Sequence, residues 1–144
     1  MVWRRITGGL LGLTLYWVAF YAIGIGTGLL WPAYRNAARG VFQERAFHLF
    51  TVPMLITNLI VFGISGLVAG WLSTRIARSR TPGLVIAALL FIYAVVEHYI
   101  LLWDQLPPWY NLIVPLVMAG SVWFGSRIAS IHAAQQTVAA VRAG

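Results

Sequence analysis

The chain is 144 residues long, 60% hydrophobic and only 9% charged, with a mean hydropathy of +0.82. Soluble domains carry charge on about a quarter of their residues, so this composition excludes a water-exposed globular protein and points to one membrane domain over 1–144. The net charge of +7 comes from arginines, with no lysine. They sit in short segments flanking apolar runs, the pattern of topology signals and lipid-headgroup contact, and nucleic acid is not an expected partner. Arginine without lysine points to a GC-rich bacterial genome. The absence of cysteine excludes disulfides, thiolate metal sites and thiol catalysis.

A membrane helix needs roughly 20 apolar residues. The first run that long covers residues 7–31, "TGGLLGLTLYWVAFYAIGIGTGLLW". It follows Arg4 and Arg5, yet it is about twice as long as a signal-peptide core and lacks a small-residue cleavage pattern, so it reads as a retained span. Gly8-x-x-x-Gly12 and Gly24-x-x-x-Gly28 within it have the spacing that lets helices approach closely. The segment Gly24–Gly28 superficially suggests a phosphate loop, but its place in a membrane helix makes it a packing element.

After Pro32, apolar side chains recur at Ala33, Tyr34, Ala37, Ala38, Val41, Phe42, Ala46, Leu49 and Phe50. Arg35, Asn36, Arg39, Gln43 and Glu44 fall largely opposite. This spacing predicts an amphipathic helix over 33–48 lying in the membrane interface, with Arg35, Arg39 and Arg45 directed at lipid headgroups or a partner. Gly40 weakens it by about 1 kcal/mol relative to alanine and marks a place to kink.

The second span is 51–73, entered through Thr51 and Pro53 and carrying Gly66-x-x-x-Gly70; it is the expected central packing helix. The third is 83–105, with Thr81 as N-cap and Pro82 in the first turn. Pro107-Pro108 then forces a tight hairpin into the fourth span, 108–130. That last helix continues past the membrane through "RIASIHAAQQTVAAVRAG", a tail over 131–144, before fraying.

With four spans, Arg4, Arg5, Arg75, Arg78, Arg80, Arg127 and Arg142 share one side and Arg35, Arg39 and Arg45 the other. The excess predicts both termini in the cytoplasm. Trp31, Trp103, Trp109 and Tyr110 mark the outer interface, and Trp3 and Trp71 the inner one.

The segment "FIYAVVEHYILLW", 91–103, places Glu97 and His98 inside an apolar run. Glu97 falls about 4.5 Å to the outer side of the midplane, at a depth shared by Asn58 and Tyr21. Tyr93 precedes it by one turn and Asp104 follows it by seven residues, so these three form a stripe expected to face the bundle interior or an outer vestibule. His98 is turned about 100° away. Hydrocarbon disfavours a charged carboxyl, so Glu97 is expected to donate a hydrogen bond to Asn58 or a backbone carbonyl. The candidate polar cluster is thus Glu97, Asn58, Tyr93, Tyr21, His98 and Asp104.

No cofactor or metal is expected. His48, His98 and His132 lie at unmatched depths for haem ligation, Glu97-His98 cannot chelate a metal from one helix face, and Ser65, Ser121 and Ser126 have no histidine at their level to activate them. The sequence therefore predicts an all-α integral membrane protein: four helices, up-down-up-down, with an amphipathic interfacial helix between the first two. Without an evident catalytic centre, it reads as an accessory or assembly subunit of a larger inner-membrane complex, with membrane lipids and other membrane subunits as partners. The alternative is a small proton-coupled transporter using the carboxyl of Glu97; an enzyme acting on a lipid or isoprenoid ranks third.

Overall fold

A computed structural model describes the backbone of residues 2–143, with all of their side chains except those of residues 42, 134 and 137–143. Every element is helical: α1 (Val2–Leu30), α2 (Pro32–Glu44), a short 3-10 turn (Phe47–Leu49), α3 (Val52–Ala77), α4 (Thr81–Val95) continuing as a π-turn (Val96–Leu101), and α5 (Pro108–Ala143). Four segments are long and apolar enough to cross a membrane: Val2–Leu30, Val52–Ala77, Thr81–Leu101 and Pro108–Ala133. Length and apolarity go together because hydrocarbon cannot satisfy a free backbone N–H or carbonyl, and a helix satisfies them within one segment.

The four crossings alternate in direction. Gly8 near the start of α1 meets Ala77 at the end of α3, and Gly83 near the start of α4 meets Ser126 in the second half of α5. One end of the bundle therefore carries Arg4, Arg5, Arg75, Arg78, Arg80 and Arg127, and is called the basic end. The other, closed by α2 and the turn 102–107, is called the collar end.

The central helix is α3, which packs most extensively against α5 and α1, as the sequence expects. Lipid tails are as apolar as leucine, so helices associate through close packing rather than through burial from water. Glycines supply it. A Cβ on Gly70 would run into the Val122 carbonyl, one on Gly125 into the Leu67 carbonyl and one on Gly66 into the Ser121 hydroxyl. Ser126 Oγ, within the same crossing, lies 3.2 Å from the Gly70 carbonyl. On the other flank, a Cβ on Gly8 would stand 2.9 Å from the Ala77 Cβ, and one on Gly12 2.7 Å from the Ser73 Cβ. The first and third glycine pairs thus pack within the chain. Gly24, by contrast, faces open space, and Gly28 meets Arg35 of α2.

Helix boundaries differ from the predicted ones at three places. The helix after α1 stops at Glu44 instead of reaching residue 48, because Arg45 turns left-handed (φ 53°) and Ala46 N–H bonds back to the Gly40 carbonyl at 3.3 Å. Arg45 N–H also bonds to the Val41 carbonyl at 3.0 Å, the five-to-one bond of an αL cap. Gly40 sits within an unbroken helix, and its missing Cβ leaves room for the Leu49 side chain. At α4, Thr81 is the first helical residue and not the cap; its N–H donates to Ser79 Oγ at 3.3 Å. The third crossing also departs from a regular helix after Val95, with consequences for the polar residues described below. At the far end, α5 continues as helix through Ala143, and Gly144 lies outside the described residues.

Candidate functional site

The polar side chains of the collar half converge from α1, α2, α3, the π-turn and α5. The π-turn organises them. Leu102 N–H donates to the Glu97 carbonyl at 3.0 Å, an i→i+5 bond in place of the usual i→i+4. Through Glu97 and His98 the side-chain directions still follow α4, whose buried face Ile86–Leu90–Ala94 continues at the same spacing to His98.

The stripe Tyr93–Glu97–Asp104 lies beside that buried face and not on it, so it does not face the bundle interior, the first of the two directions the sequence predicts. Tyr93 is 43% exposed, Glu97 is half-buried and Asp104 is exposed on the turn beyond the π-turn. The interior residue is His98, only 4% exposed. Its Nδ1 lies 2.9 Å from Asn111 Oδ1. The Asn111 amide Nδ2 is directed at the carbonyls of Leu102 (3.5 Å), Trp103 (3.3 Å) and Leu106 (3.3 Å). That arrangement makes Oδ1 the acceptor, so His98 donates from Nδ1. The Tyr110 ring packs edge-on against the imidazole, 5.6 Å between centroids. Asn111 thus offers its amide N–H groups to carbonyls of the 102–107 turn, while His98 holds the amide in place through Oδ1.

Asn58 does not reach Glu97. It accepts a hydrogen bond from the Tyr34 hydroxyl through Oδ1, and the Tyr110 hydroxyl lies within hydrogen-bonding reach of the same amide. This Tyr34–Asn58–Tyr110 link ties α2 to α3 and α5. Burial also pushes the Tyr34 phenol above its ordinary range. Around it, Tyr34, Ala37 and Met54 form a small apolar cluster with Trp31 and Phe50 against it, while Arg35, Arg39 and Arg45 stand exposed.

Glu97 faces a different set. Tyr93 hydroxyl lies within hydrogen-bonding reach of its carboxyl, and Tyr16 and Tyr110 are within electrostatic reach. Trp17 of α1 packs edge-on against Tyr93, with centroids 5.6 Å apart, and Tyr21 tilts against Trp17 at the lipid-facing rim, 49% exposed. Tyr16 is fully buried, and its hydroxyl has no hydrogen-bond partner within the protein.

The six predicted residues thus divide among three places: Glu97 with Tyr93 and Tyr21, Asn58 at the collar link, and His98 on Asn111, with Asp104 outside all of them. Sequence reasoning passed over the side chains of Asn111 and Tyr16, and read Tyr34 only as a member of an apolar stripe. The first two had a readable signal. Tyr16 continues the Gly8–Gly12 stripe by four residues, so the face that packs on α3 must contain it. Asn111 precedes the buried stripe Val114–Met118–Val122 at helical spacing.

Among the described residues, no group of three or more His, Asp and Glu side chains is placed to hold a metal ion. Comparison with protein-family models, with curated proteins and with solved structures finds no match.

Proposed function

We propose that this chain is a non-catalytic multi-pass protein of the bacterial inner membrane, with both termini cytoplasmic, that acts as an accessory or assembly subunit and presents its collar end to a larger membrane complex. The observation that carries this reading is the hydrogen bond from the Tyr34 hydroxyl to Asn58, which holds the surface helix α2 against α3. Hydrogen bonds between buried side chains define one arrangement strongly, since breaking them leaves polar atoms unpaired. In this reading α2 lies in the outer interface as an amphipathic helix, and Arg35, Arg39 and Arg45 form a fixed basic array for an acidic partner surface and the lipid phosphates beside it. Cross-linking in native membranes followed by purification in mild detergent tests it. A partner should copurify with the wild type and be lost when the three arginines are changed to glutamine. A protein that remains alone under every gentle condition would refute the subunit role.

A second reading, a small proton-coupled transporter, is favoured by one specific observation: a buried, unpartnered Tyr16 hydroxyl beside the half-buried Glu97 on a π-turn. Intramembrane carboxyls and π-turns both recur at working sites. Toward the basic end the Gly12–Ser73 contact closes the bundle, so exchange with that side would require α1 to move off α3. Glu97→Gln keeps the hydrogen-bonding capacity and removes the exchangeable proton. Unchanged proton-driven flux in reconstituted vesicles would sink this reading.

A further inference from the structure

At the basic end, α1 and α4 run side by side in the same direction and leave a groove of about 330 Å³ between them. Its walls are Gly9 and Leu13 of α1 and Val85 and Leu89 of α4, and its mouth is formed by Arg5 and Thr81. The two helices approach at Gly9 and Pro82, where a Cβ on Gly9 would stand 3.8 Å from the Pro82 Cβ. A helix with its side chains is about 10–12 Å across, far too wide to enter beside that contact. A single polymethylene chain is narrow enough.

The groove spans eight residues on each helix, about 12 Å, against a hydrocarbon core of about 30 Å. It therefore serves one leaflet. Charge identifies the other part of the occupant. The three acidic residues of the chain, Glu44, Glu97 and Asp104, all lie in the collar half, whereas Arg4, Arg5, Arg78 and Arg80 gather at the groove's end. No aspartate or glutamate of this chain stands at that end, so a counter-anion from outside the chain suits Arg5.

We infer that the α1–α4 groove is a binding site for one anionic phospholipid, with an acyl chain lying along Gly9 and Leu13 and its phosphate at Arg5. The site lies at the opposite end from the arginine array of α2 and does not depend on it.

The test uses the full-length protein in nanodiscs containing phosphatidylglycerol or phosphatidylcholine, each carrying a photoreactive acyl chain. Cross-links to residues 6–13 and 82–89 should form in the wild type, with phosphatidylglycerol favoured by about fivefold, as one arginine near the surface would give. Arg5→Gln should remove that preference and leave the acyl-chain cross-links in place. A Cβ at Gly9 meets only the Pro82 Cβ, at 3.8 Å, so Gly9→Leu is expected to fill the groove and abolish cross-linking of both lipids at these positions. Gly24→Ala, in the collar half of α1 where a Cβ meets nothing within 4 Å, should change nothing. Equal labelling of both lipids by the wild type, or labelling spread evenly over the lipid-facing helices, would overturn the assignment, and these results need no variant to fold.

Discussion

In the basic half, α3 and α5 meet backbone against backbone through Gly66, Gly70 and Gly125. In the collar half, the same two helices are joined through side chains, Asn58 reaching toward Tyr110. The first contact is dispersion between close surfaces, many weak terms acting together with no tolerance for added volume. The second is a small number of polar bonds, individually strong where water is excluded and damaging when half broken. The chain thus places its tightest packing away from its polar chemistry. Alterations in the two halves should therefore fail in different ways.

The largest effect is expected at the close crossing. Gly70→Val would drive a side chain into the Val122 carbonyl, which belongs to backbone and cannot turn aside. The expected loss is about 3 kcal/mol, measured by denaturant unfolding in detergent micelles. Gly120→Val is the control on α5, because a Cβ there meets nothing within 4 Å; its unfolding midpoint should stay close to that of the wild type. Equal destabilisation by both would mean that valine in the helix, and not the crossing, is responsible.

Next comes Asn111→Leu at the collar. It preserves volume roughly but strips His98 of its acceptor and three turn carbonyls of their donor. A loss of about 2 kcal/mol is expected. Adding His98→Phe should recover part of it, since the unpaired imidazole N–H is then gone. Simple additivity of the two changes would show that the His98–Asn111 contact contributes nothing.

How much of this was legible in sequence depends on which rule governs each residue. The spans were legible because hydrocarbon allows few solutions to backbone satisfaction. Gly8, Gly12, Gly66 and Gly70 were legible as packing residues because the helices that carry them are regular where they cross. Glu97 and His98 were not. The predicted stripe starts from Tyr93, whereas the buried face of α4 runs through Ile86, Leu90 and Ala94 and continues at the same spacing to His98. His98 is held by Asn111, thirteen residues beyond it, whose amide also reaches carbonyls of the turn that follows. Short-range spacing cannot see such a partner. The α2 helix shows the opposite case: its apolar face marked Tyr34 as inward, but only the structure supplies Asn58 as the reason it stays there.

That last contact gives the smallest and most local effect. Tyr34→Phe removes the bond to Asn58 and leaves the ring, with an expected loss of about 1 kcal/mol. Opening should be confined to α2, because local segments can open well below the global unfolding energy. The absence of native cysteine makes a spin label at Arg39→Cys a clean reporter. Its mobility should rise in the Tyr34→Phe background while the unfolding midpoint of the bundle barely moves. Hydroxide offers an independent route to the same bond. Burial raises the Tyr34 phenol, so the folded state holds that proton more firmly than the unfolded one. The contribution is complete below the ordinary phenol value of about 10 and is lost as pH climbs through the raised folded value. Label mobility should therefore stay flat up to about pH 10 and increase above it in the wild type. In Tyr34→Phe it should start high and show no alkaline step. An identical alkaline step in both proteins would assign the titration to another group and leave α2 held by packing alone.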